Sequence, residues 1–218
     1  MNSYWFYFEG IAGSGKTTQC NLLKKELTDH YPHFSVHCIN EFSNDLIGKY
    51  IHKKIGQGDF RIQCFDDLSR HLMVIADRLG SIHKLVNESK ADILLFDRFI
   101  MSDLAHAITD SKGSNDIEHR EILLRSIKKI YNIENTLSKS NIISVYFYLS
   151  TSFEIAYSRV QGRNNLKHNN NQLEFLENLI GNYNYLINRE KKVNIINADN
   201  SVFEVQSAIL NKIKRIIK

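Results

Sequence analysis

Residues 10–17 constrain the fold more than any other part of the sequence. They read Gly-Ile-Ala-Gly-Ser-Gly-Lys-Thr, in which Gly10 and Gly15 are followed directly by Lys16 and Thr17. Glycines at this spacing let the backbone fold around a phosphate with its N–H groups inward, and a helix starting near Lys16 adds its positive dipole end. The pattern predicts a phosphate-binding loop between a strand and a helix. The alternative is a glycine-rich turn with a chance lysine and threonine.

The sequence on either side of this loop favours phosphate binding over a simple turn. An apolar run at residues 4–8 comes before it, and leucines at positions 22, 23 and 27 give the following segment an apolar face. In such a loop the lysine neutralises the β- and γ-phosphates of ATP and the threonine hydroxyl ligates Mg²⁺. The predicted ATP-binding residues are Gly10, Ala12, Gly13, Ser14, Gly15, Lys16, Thr17 and Thr18.

Short apolar runs rich in aromatic and β-branched residues recur along the chain and alternate with helix-patterned segments. Alternation of this kind implies right-handed crossovers and a parallel sheet covered on both faces. The predicted fold is a three-layer α/β/α sandwich with a five-stranded parallel sheet, of the P-loop NTPase or kinase type. The predicted strands are 4–8, 34–39, 92–96, 142–149 and 193–196, and the clearest helices are 64–89, 172–190 and 201–217.

The length of 218 residues suits a single domain, and no linker divides the chain. We therefore expect one domain over residues 1–218. The segment 164–172 is nearly all polar, and a segment of this composition buries too little to be rigid. It predicts a mobile lid at about residues 163–172.

Charge and cysteine content limit the possible partners and compartments. A formal net charge of +4 suits an anionic small substrate, although lysines on a solvated surface would give the same value. The cysteines at positions 20, 38 and 64 lack the paired spacing of zinc or redox motifs, which indicates reduced thiols in a cytoplasmic protein. The apolar run at residues 4–8 is too short for a signal peptide or membrane span. We expect neither nucleic acid nor a membrane as a partner.

A second element of the predicted site is the apolar strand that ends in Asp97. The carboxyl ends of parallel strands converge on one crevice, so Asp97 is expected beside the phosphate-binding loop. There it would bind Mg²⁺ or its water shell together with Thr17. An aspartate after an apolar strand is also a common helix cap, which is the structural alternative.

Several short motifs in the chain resemble the thymidylate kinase family, and together they span nearly its whole length. The segment from Leu149 to Arg163 and the helix carrying Tyr183 also look like the lid region of that family. The matching motifs are Phe8-Glu9-Gly10, Thr17-Thr18-Gln19, Ala76-Asp77-Arg78, Asp97-Arg98-Phe99 with Ser102 and Ala105 following, and Ile196-Asn197-Ala198-Asp199.

The resemblance implies a homodimeric kinase of nucleotide biosynthesis that uses ATP and Mg²⁺, and it assigns roles to further residues. Arg98 would contact the acceptor phosphate, and Arg78 would face the acceptor base. Arginines at positions 159 and 163 would lie on the lid side, where Arg163 could stabilise the phosphoryl group in flight. The acceptor-binding set implied in this way is Glu41, Val74, Arg78, Arg98, Ser102 and Arg159, and the catalytic set is Lys16, Asp97, Arg98 and Arg163.

The acceptor half of the site departs from the family pattern. Ala12 replaces an acidic residue associated with the acceptor sugar, and Asn40 replaces an arginine that holds the acceptor phosphate. Val74 stands at the position of a base-stacking phenylalanine, and Phe99 at that of a tyrosine. The resemblance is therefore strongest for the ATP-binding half.

The motifs favour transfer of the γ-phosphoryl group of ATP to a nucleoside monophosphate. Two alternatives remain open at the level of sequence. A nucleoside kinase would need a carboxylate base to activate a sugar hydroxyl, and Glu41 or Asp97 could supply it. A catalytically weak nucleotide-binding or regulatory protein would keep the phosphate-binding loop and lack acceptor chemistry.

Overall fold

The structure is a computed structural model that describes most of the chain. At residues 55–56, 67–68, 163–164 and 170–172 it describes the backbone alone. The described residues are 2–56, 67–110, 121, 124–129, 141–164, 170–190 and 192–217.

The centre of the fold is a parallel sheet of five strands in the order β2-β3-β1-β4-β5. Strand β1 lies in the middle, with Phe8 paired with Asp97 on one side and with Phe147 on the other. The strands are β1 (Ser3–Glu9), β2 (Val36–Ile39), β3 (Ile93–Asp97), β4 (Ile142–Ser150) and β5 (Val193–Asn197).

Seven helices with assigned bounds surround the sheet in the described part of the chain. The predicted helix at 64–89 is observed from Asp67, and residues 64–66 lie outside the described residues. Among the described residues, no helix combines the length and apolar character needed to cross a membrane. The helices are α1 (Lys16–His30), α2 (Leu46–Gly56), α3 (Asp67–Asn87), α4 (Ile100–Asp110), α5 (Phe153–Asn164), α6 (Asn170–Ile187) and α7 (Val202–Ile216).

Alternating side chains of β1 fill two separate cores, one on each face of the sheet. Trp5 and Tyr7 pack on the face covered by α3, α4 and α6, and Phe6 and Phe8 pack on the face covered by α1 and α7. Successive strand residues point to opposite faces, so a central strand must be apolar at every position. This explains the unbroken apolar run from Tyr4 to Phe8.

The predicted three-layer sandwich with five parallel strands is confirmed, and its topology places the site. Strands β1 and β3 are neighbours, so their carboxyl ends lie at the same edge of the sheet. The loop after β1 and the residues after β3 therefore meet at one crevice. The end of β2, beside β3, brings the segment that contains Glu41 to the same edge.

Candidate active site

The glycine-rich loop between β1 and α1 adopts a conformation that needs its glycines. Gly10, Gly13 and Gly15 have φ angles of 143°, 84° and 95°, which are unfavourable for residues with a side chain. A Cβ added at Gly13 would lie 2.3 Å from the carbonyl oxygen of Ala156 in α5. The loop is thus packed directly against α5, and its backbone is set by local sterics.

Lys16 is the first residue of α1, and its side chain is buried, with only 5% of the residue exposed. Its Nζ donates a hydrogen bond to the carbonyl oxygen of Ile11 at 2.7 Å, across the loop. Burial and the nearby Arg98 lower the pKa of Lys16 to about 7. A negatively charged ligand in the loop would reverse this effect, because opposite charge favours the protonated lysine.

Thr17 joins the loop to the end of β3. Its Oγ1 donates a hydrogen bond to Oδ2 of Asp97 at 2.5 Å. The other carboxylate oxygen, Oδ1 of Asp97, is buried and has no hydrogen-bond partner among the described residues. A buried carboxylate oxygen without a donor is costly, and a ligand or cation at this point would compensate it.

Arg98 follows Asp97 and lies under the loop. Its guanidinium donates from Nη1 to the carbonyl oxygen of Gly10 at 2.9 Å, and its Nε lies 2.8 Å from Oε1 of Glu41. Burial acts to lower the pKa of Arg98, but Glu41, Tyr183 and Asp97 raise it above its ordinary value. Arg98 is therefore a permanent cation that is held between the loop and the segment after β2.

A cleft lies next to the glycine-rich loop, and Glu41 is the only carboxylate among the described residues that line it. Burial raises its pKa, but Arg98 and Lys16 outweigh this and hold the pKa below its ordinary value. The following segment is fixed by Asp77 of α3, which accepts hydrogen bonds from the backbone N–H and the hydroxyl of Ser43 at 2.8 and 2.5 Å. Glu41 is thus ionised at neutral pH and restrained from one side.

The other residues expected at the acceptor are placed at different depths. Arg78 of α3 is 2% exposed and forms a buried ion pair with Asp103 of α4. Val74 lies half-buried on α3. The hydroxyl of Ser102 is buried and hydrogen-bonds with Glu9 and Tyr183. Roles for these residues in acceptor binding stay predictions.

Arg159 of α5 contacts the glycine-rich loop, and its predicted role in acceptor binding stays a prediction. Its Nη1 donates to the carbonyl oxygens of Gly13 at 3.3 Å and Ala198 at 2.9 Å. It thereby ties the glycine-rich loop to the segment after β5. The side chain of Arg163 and the predicted lid at 163–172 lie outside the described side chains and stay predictions.

One cleft of about 180 Å³ brings the central residues together. It combines two cations, one carboxylate, one hydroxyl and the backbone of the loop, which is the composition of a site for phosphate groups and a second polar reactant. Its lining residues are Ala12, Gly13, Gly15, Lys16, Thr17, Glu41, Arg98 and Val160.

Sequence reasoning gave no role to Glu9, which is fully buried at the end of β1. Its carboxylate contacts the first turn of α4. The available signal was an acidic residue at the end of an otherwise uncharged strand, directly before the phosphate-binding loop. Asp103 was also missed, since nothing in the sequence alone pairs it with Arg78.

Comparison with known proteins relates the chain to thymidylate kinases. The profile of the thymidylate kinase family matches residues 8–209. A probable thymidylate kinase from Methanocaldococcus jannaschii is 26% identical over 216 residues, which cover 99% of this chain and 98% of that protein.

Two solved structures share the fold at low sequence identity. A thymidylate kinase from Ehrlichia chaffeensis superposes with a TM-score of 0.65 at 21% identity, covering 98% of both chains. A deoxyadenosine kinase from M. mycoides with bound dCTP superposes with a TM-score of 0.61 at 19% identity, covering 97% of this chain and 99% of the other.

Proposed function

The chain belongs to the thymidylate kinase family, and we propose that it phosphorylates a nucleoside monophosphate in the cleft between Lys16 and Arg98. As a member of this family it is a nucleotide kinase that uses ATP as phosphate donor. The observation that supports this cleft most directly is its composition. It places the loop lysine, a threonine hydroxyl and a buried arginine around one space.

The ATP half of the proposed site consists of the loop, Lys16 and Arg159. Backbone N–H groups of the loop and the start of α1 favour the β- and γ-phosphates, and Lys16 would turn from Ile11 to those phosphates. Charge from the phosphates would keep Lys16 protonated. Most of the catalysis would come from positioning and charge neutralisation.

Thr17 and Asp97 fit a magnesium site. The unpartnered Oδ1 of Asp97 and the Thr17 hydroxyl are hard oxygen ligands, and Mg²⁺ in kinases takes only one or two protein ligands beside phosphate oxygens and water. In the described part of the chain, no group of three or more His, Cys, Asp or Glu that could hold a metal occurs. When bound, Mg²⁺ would offset charge on the phosphates.

The acceptor half of the proposed site depends on Arg98. An acceptor monophosphate would share or displace Glu41 as the partner of Arg98, since both anions need the same guanidinium. Ala12 and Asn40 are both exposed and supply neither the acidic group nor the cation of the family pattern. We therefore propose an acceptor site that is weaker and less selective for thymidylate than is usual for the family.

An acceptor panel tests this proposal. ADP formation is measured with ATP and, in turn, thymidylate, the other nucleoside monophosphates and the corresponding nucleosides. We expect monophosphates to give the higher kcat/KM. A clear preference for nucleosides would contradict the proposal. Tight ATP binding without turnover of any acceptor would instead indicate a nucleotide-binding or regulatory protein.

One observation favours a nucleoside kinase as the second candidate. Glu41 is ionised and lies in the cleft, whereas Asp97 is engaged by Thr17, so Glu41 is the better placed carboxylate to take a proton from a sugar hydroxyl. Glu41→Gln distinguishes the two functions. It should abolish phosphorylation of nucleosides if Glu41 is the base. Transfer to monophosphates should stay intact, because their phosphate oxygen is already anionic.

The chain is further proposed to act as a single-domain homodimer in the cytoplasm. Exposed apolar side chains on α2 and α3 support the dimer, since Leu46, Ile47, Tyr50 and Leu72 are each more than a third exposed. Consumption of ATP favours the cytoplasm. Light scattering of the purified protein, with Leu46→Glu as a disrupting variant, tests the oligomeric state.

A further inference from the structure

The carboxylate of Glu9, at the end of β1, accepts hydrogen bonds at the first turn of helix α4. Its Oε1 accepts hydrogen bonds from the backbone N–H groups of Phe99 and Met101 at 3.2 and 3.0 Å. Its Oε2 accepts from the N–H of Ser102 at 3.1 Å and from the Ser102 hydroxyl. The first N–H groups of a helix have no partner within it, and a negative charge there interacts favourably with the helix dipole. Glu9 thus acts as the cap of α4.

The same contacts fix the backbone on both sides of Arg98. Arg98 has a φ angle of 77°, in the left-handed region that is unfavourable for a residue with a side chain. Its own N–H donates to the carbonyl oxygen of Phe8 at 3.0 Å, and the next N–H, of Phe99, donates to Glu9. Two consecutive residues of β1 therefore hold the two peptide groups that flank the strained position.

A chain of side-chain hydrogen bonds also connects Glu9 with the guanidinium of Arg98. Nη1 of Arg98 lies 3.3 Å from the Tyr183 hydroxyl, to which it donates. The Tyr183 hydroxyl donates to Oγ of Ser102 at 2.7 Å, and the Ser102 hydroxyl donates to Oε2 of Glu9. Each hydroxyl accepts one bond and donates one, so the chain has a single direction that ends at Glu9.

We propose that Glu9 is a positioning residue, which fixes Arg98 for the acceptor phosphate through the cap on α4 and through Ser102 and Tyr183. The proposal rests on the proposed function, because it concerns the same arginine. In this proposal, the buried hydroxyls of Ser102 and Tyr183 hold the guanidinium of Arg98 in place.

The ionised form of Glu9 is the one that fits these contacts. All four of its hydrogen bonds are donated to it, so a proton on either oxygen would meet another donor. Burial raises the pKa of Glu9 to about 7, against the hydrogen bond from Ser102 and the charges of Arg78 and Arg98, while Asp103 raises it further. Lys16 and Tyr183 also face this carboxyl.

Two variants test the proposal in the full chain. Glu9→Gln keeps the shape but puts an NH₂ group against the donors of α4, and Tyr183→Phe removes one hydroxyl from the chain of hydrogen bonds. Tyr148→Phe is the matched control, because it removes a neighbouring buried tyrosine hydroxyl outside that chain. KM for the monophosphate, kcat and the Kd of ATP are measured for each variant.

We expect Glu9→Gln to raise KM for the monophosphate about ten- to a hundredfold, the range for loss of a charge-assisted contact, with the Kd of ATP nearly unchanged. Tyr183→Phe should raise KM for the monophosphate by less, and Tyr148→Phe should leave this KM unchanged. Equal losses in ATP binding and acceptor binding, or unchanged kinetics in both variants, would overturn the proposal.

Crystal structures of the wild type and Tyr183→Phe separate this inference from the proposed function. We expect Arg98 to keep its contact with Gly10 in the wild type and to lose its fixed position in the variant. An Arg98 side chain that is equally ordered and identically placed in both would refute the support role, whichever acceptor the enzyme uses. Failure of the wild type to phosphorylate any monophosphate would contradict the proposed function alone.

Discussion

Thr17 and Asp97 are joined by a hydrogen bond of 2.5 Å, which connects the start of α1 to the end of β3. The bond uses one carboxylate oxygen of Asp97 and leaves the other buried without a donor among the described residues. The two side chains come from segments 80 positions apart in sequence. Their contact shows how the parallel sheet brings a hydroxyl and a carboxylate to one point beside the phosphate-binding loop.

Asp97→Asn should raise the magnesium concentration needed for activity. An amide is a weaker ligand for a hard cation than a carboxylate, so the half-saturating Mg²⁺ concentration should increase while the fold is kept. Titration of activity with MgCl₂ at saturating ATP measures this. Asp92→Asn is the control, because Asp92 lies at the other end of β3 and bonds to Ser35. Lower activity with an unchanged magnesium requirement would point to an acceptor-side role for Asp97.

Lys16→Met should remove nearly all phosphoryl transfer with little effect on the fold. Methionine keeps the apolar part of this buried side chain and removes its charge, and loss of a preorganised charge at a transferring phosphate costs roughly a hundredfold or more in kcat. ADP release and thermal unfolding measure the two effects. The exposed Lys24→Met on the same helix is the control. If Lys16→Met kept the wild-type turnover, the phosphate-binding loop would have no role in phosphoryl transfer.

The fold could be predicted from sequence because its signals are local. The glycine spacing sets the loop, and the apolar runs of β1 and β3 identify buried parallel strands. Convergence of strand ends then places Asp97 beside Thr17, as the observed hydrogen bond confirms. These steps need only chain order and the general behaviour of parallel sheets.

The contacts that hold the site residues in place could not be predicted, since they form between side chains that are far apart in the sequence. The burial of Glu9 against α4 and the pairing of Arg78 with Asp103 follow from the exact placement of helices on the sheet. The phosphate-binding motif also does not show that Lys16 is buried, with its amine donating a hydrogen bond to the carbonyl oxygen of Ile11 across the loop. Periodicity and motif spacing carry no information on such contacts.

Arg159→Ala should weaken ATP binding and leave the acceptor little affected. Arg159 bonds to the carbonyl oxygens of Gly13 and Ala198, so its loss should loosen the loop that binds the donor phosphates. We expect the Kd of ATP to rise about tenfold, which corresponds to the loss of roughly one net hydrogen bond. Isothermal titration calorimetry measures it, with Arg215→Ala on the exposed face of α7 as control. A change confined to KM of the monophosphate would place Arg159 on the acceptor side.

The raised pKa of Glu9 predicts opposite effects of pH on stability and activity. Between the ordinary value of 4.5 and about 7, the folded chain holds this proton more tightly than the unfolded chain. The contribution of Glu9 to the free energy of unfolding should therefore fall as pH rises through this window, by at most about 1.4 kcal/mol per pH unit. The difference in this free energy between wild type and Glu9→Gln, from urea unfolding, should follow this trend.

Activity should rise as pH passes through about 7, the pKa of Glu9 in the folded chain, because only ionised Glu9 can accept all the hydrogen bonds that hold Arg98. The Glu9→Gln variant should lack this component of the pH profile of kcat/KM for the monophosphate. If the difference in the free energy of unfolding between wild type and Glu9→Gln rose with pH between 4.5 and 7, this would contradict the raised pKa.

Asn40→Arg should improve monophosphates as acceptors and leave nucleosides nearly unchanged. Asn40 is exposed, directly follows β2 and precedes Glu41, so an arginine there would add a cation beside the proposed acceptor site. A bound monophosphate carries nearly two negative charges and needs cationic donors to replace its water, whereas a nucleoside does not. One charge-assisted contact corresponds to roughly ten- to a hundredfold in KM. Asn40→Gln controls for side-chain size without charge. The measurement is kcat/KM for thymidylate and thymidine with each variant, and an equal gain for both acceptors would mean that position 40 does not contact the acceptor phosphate.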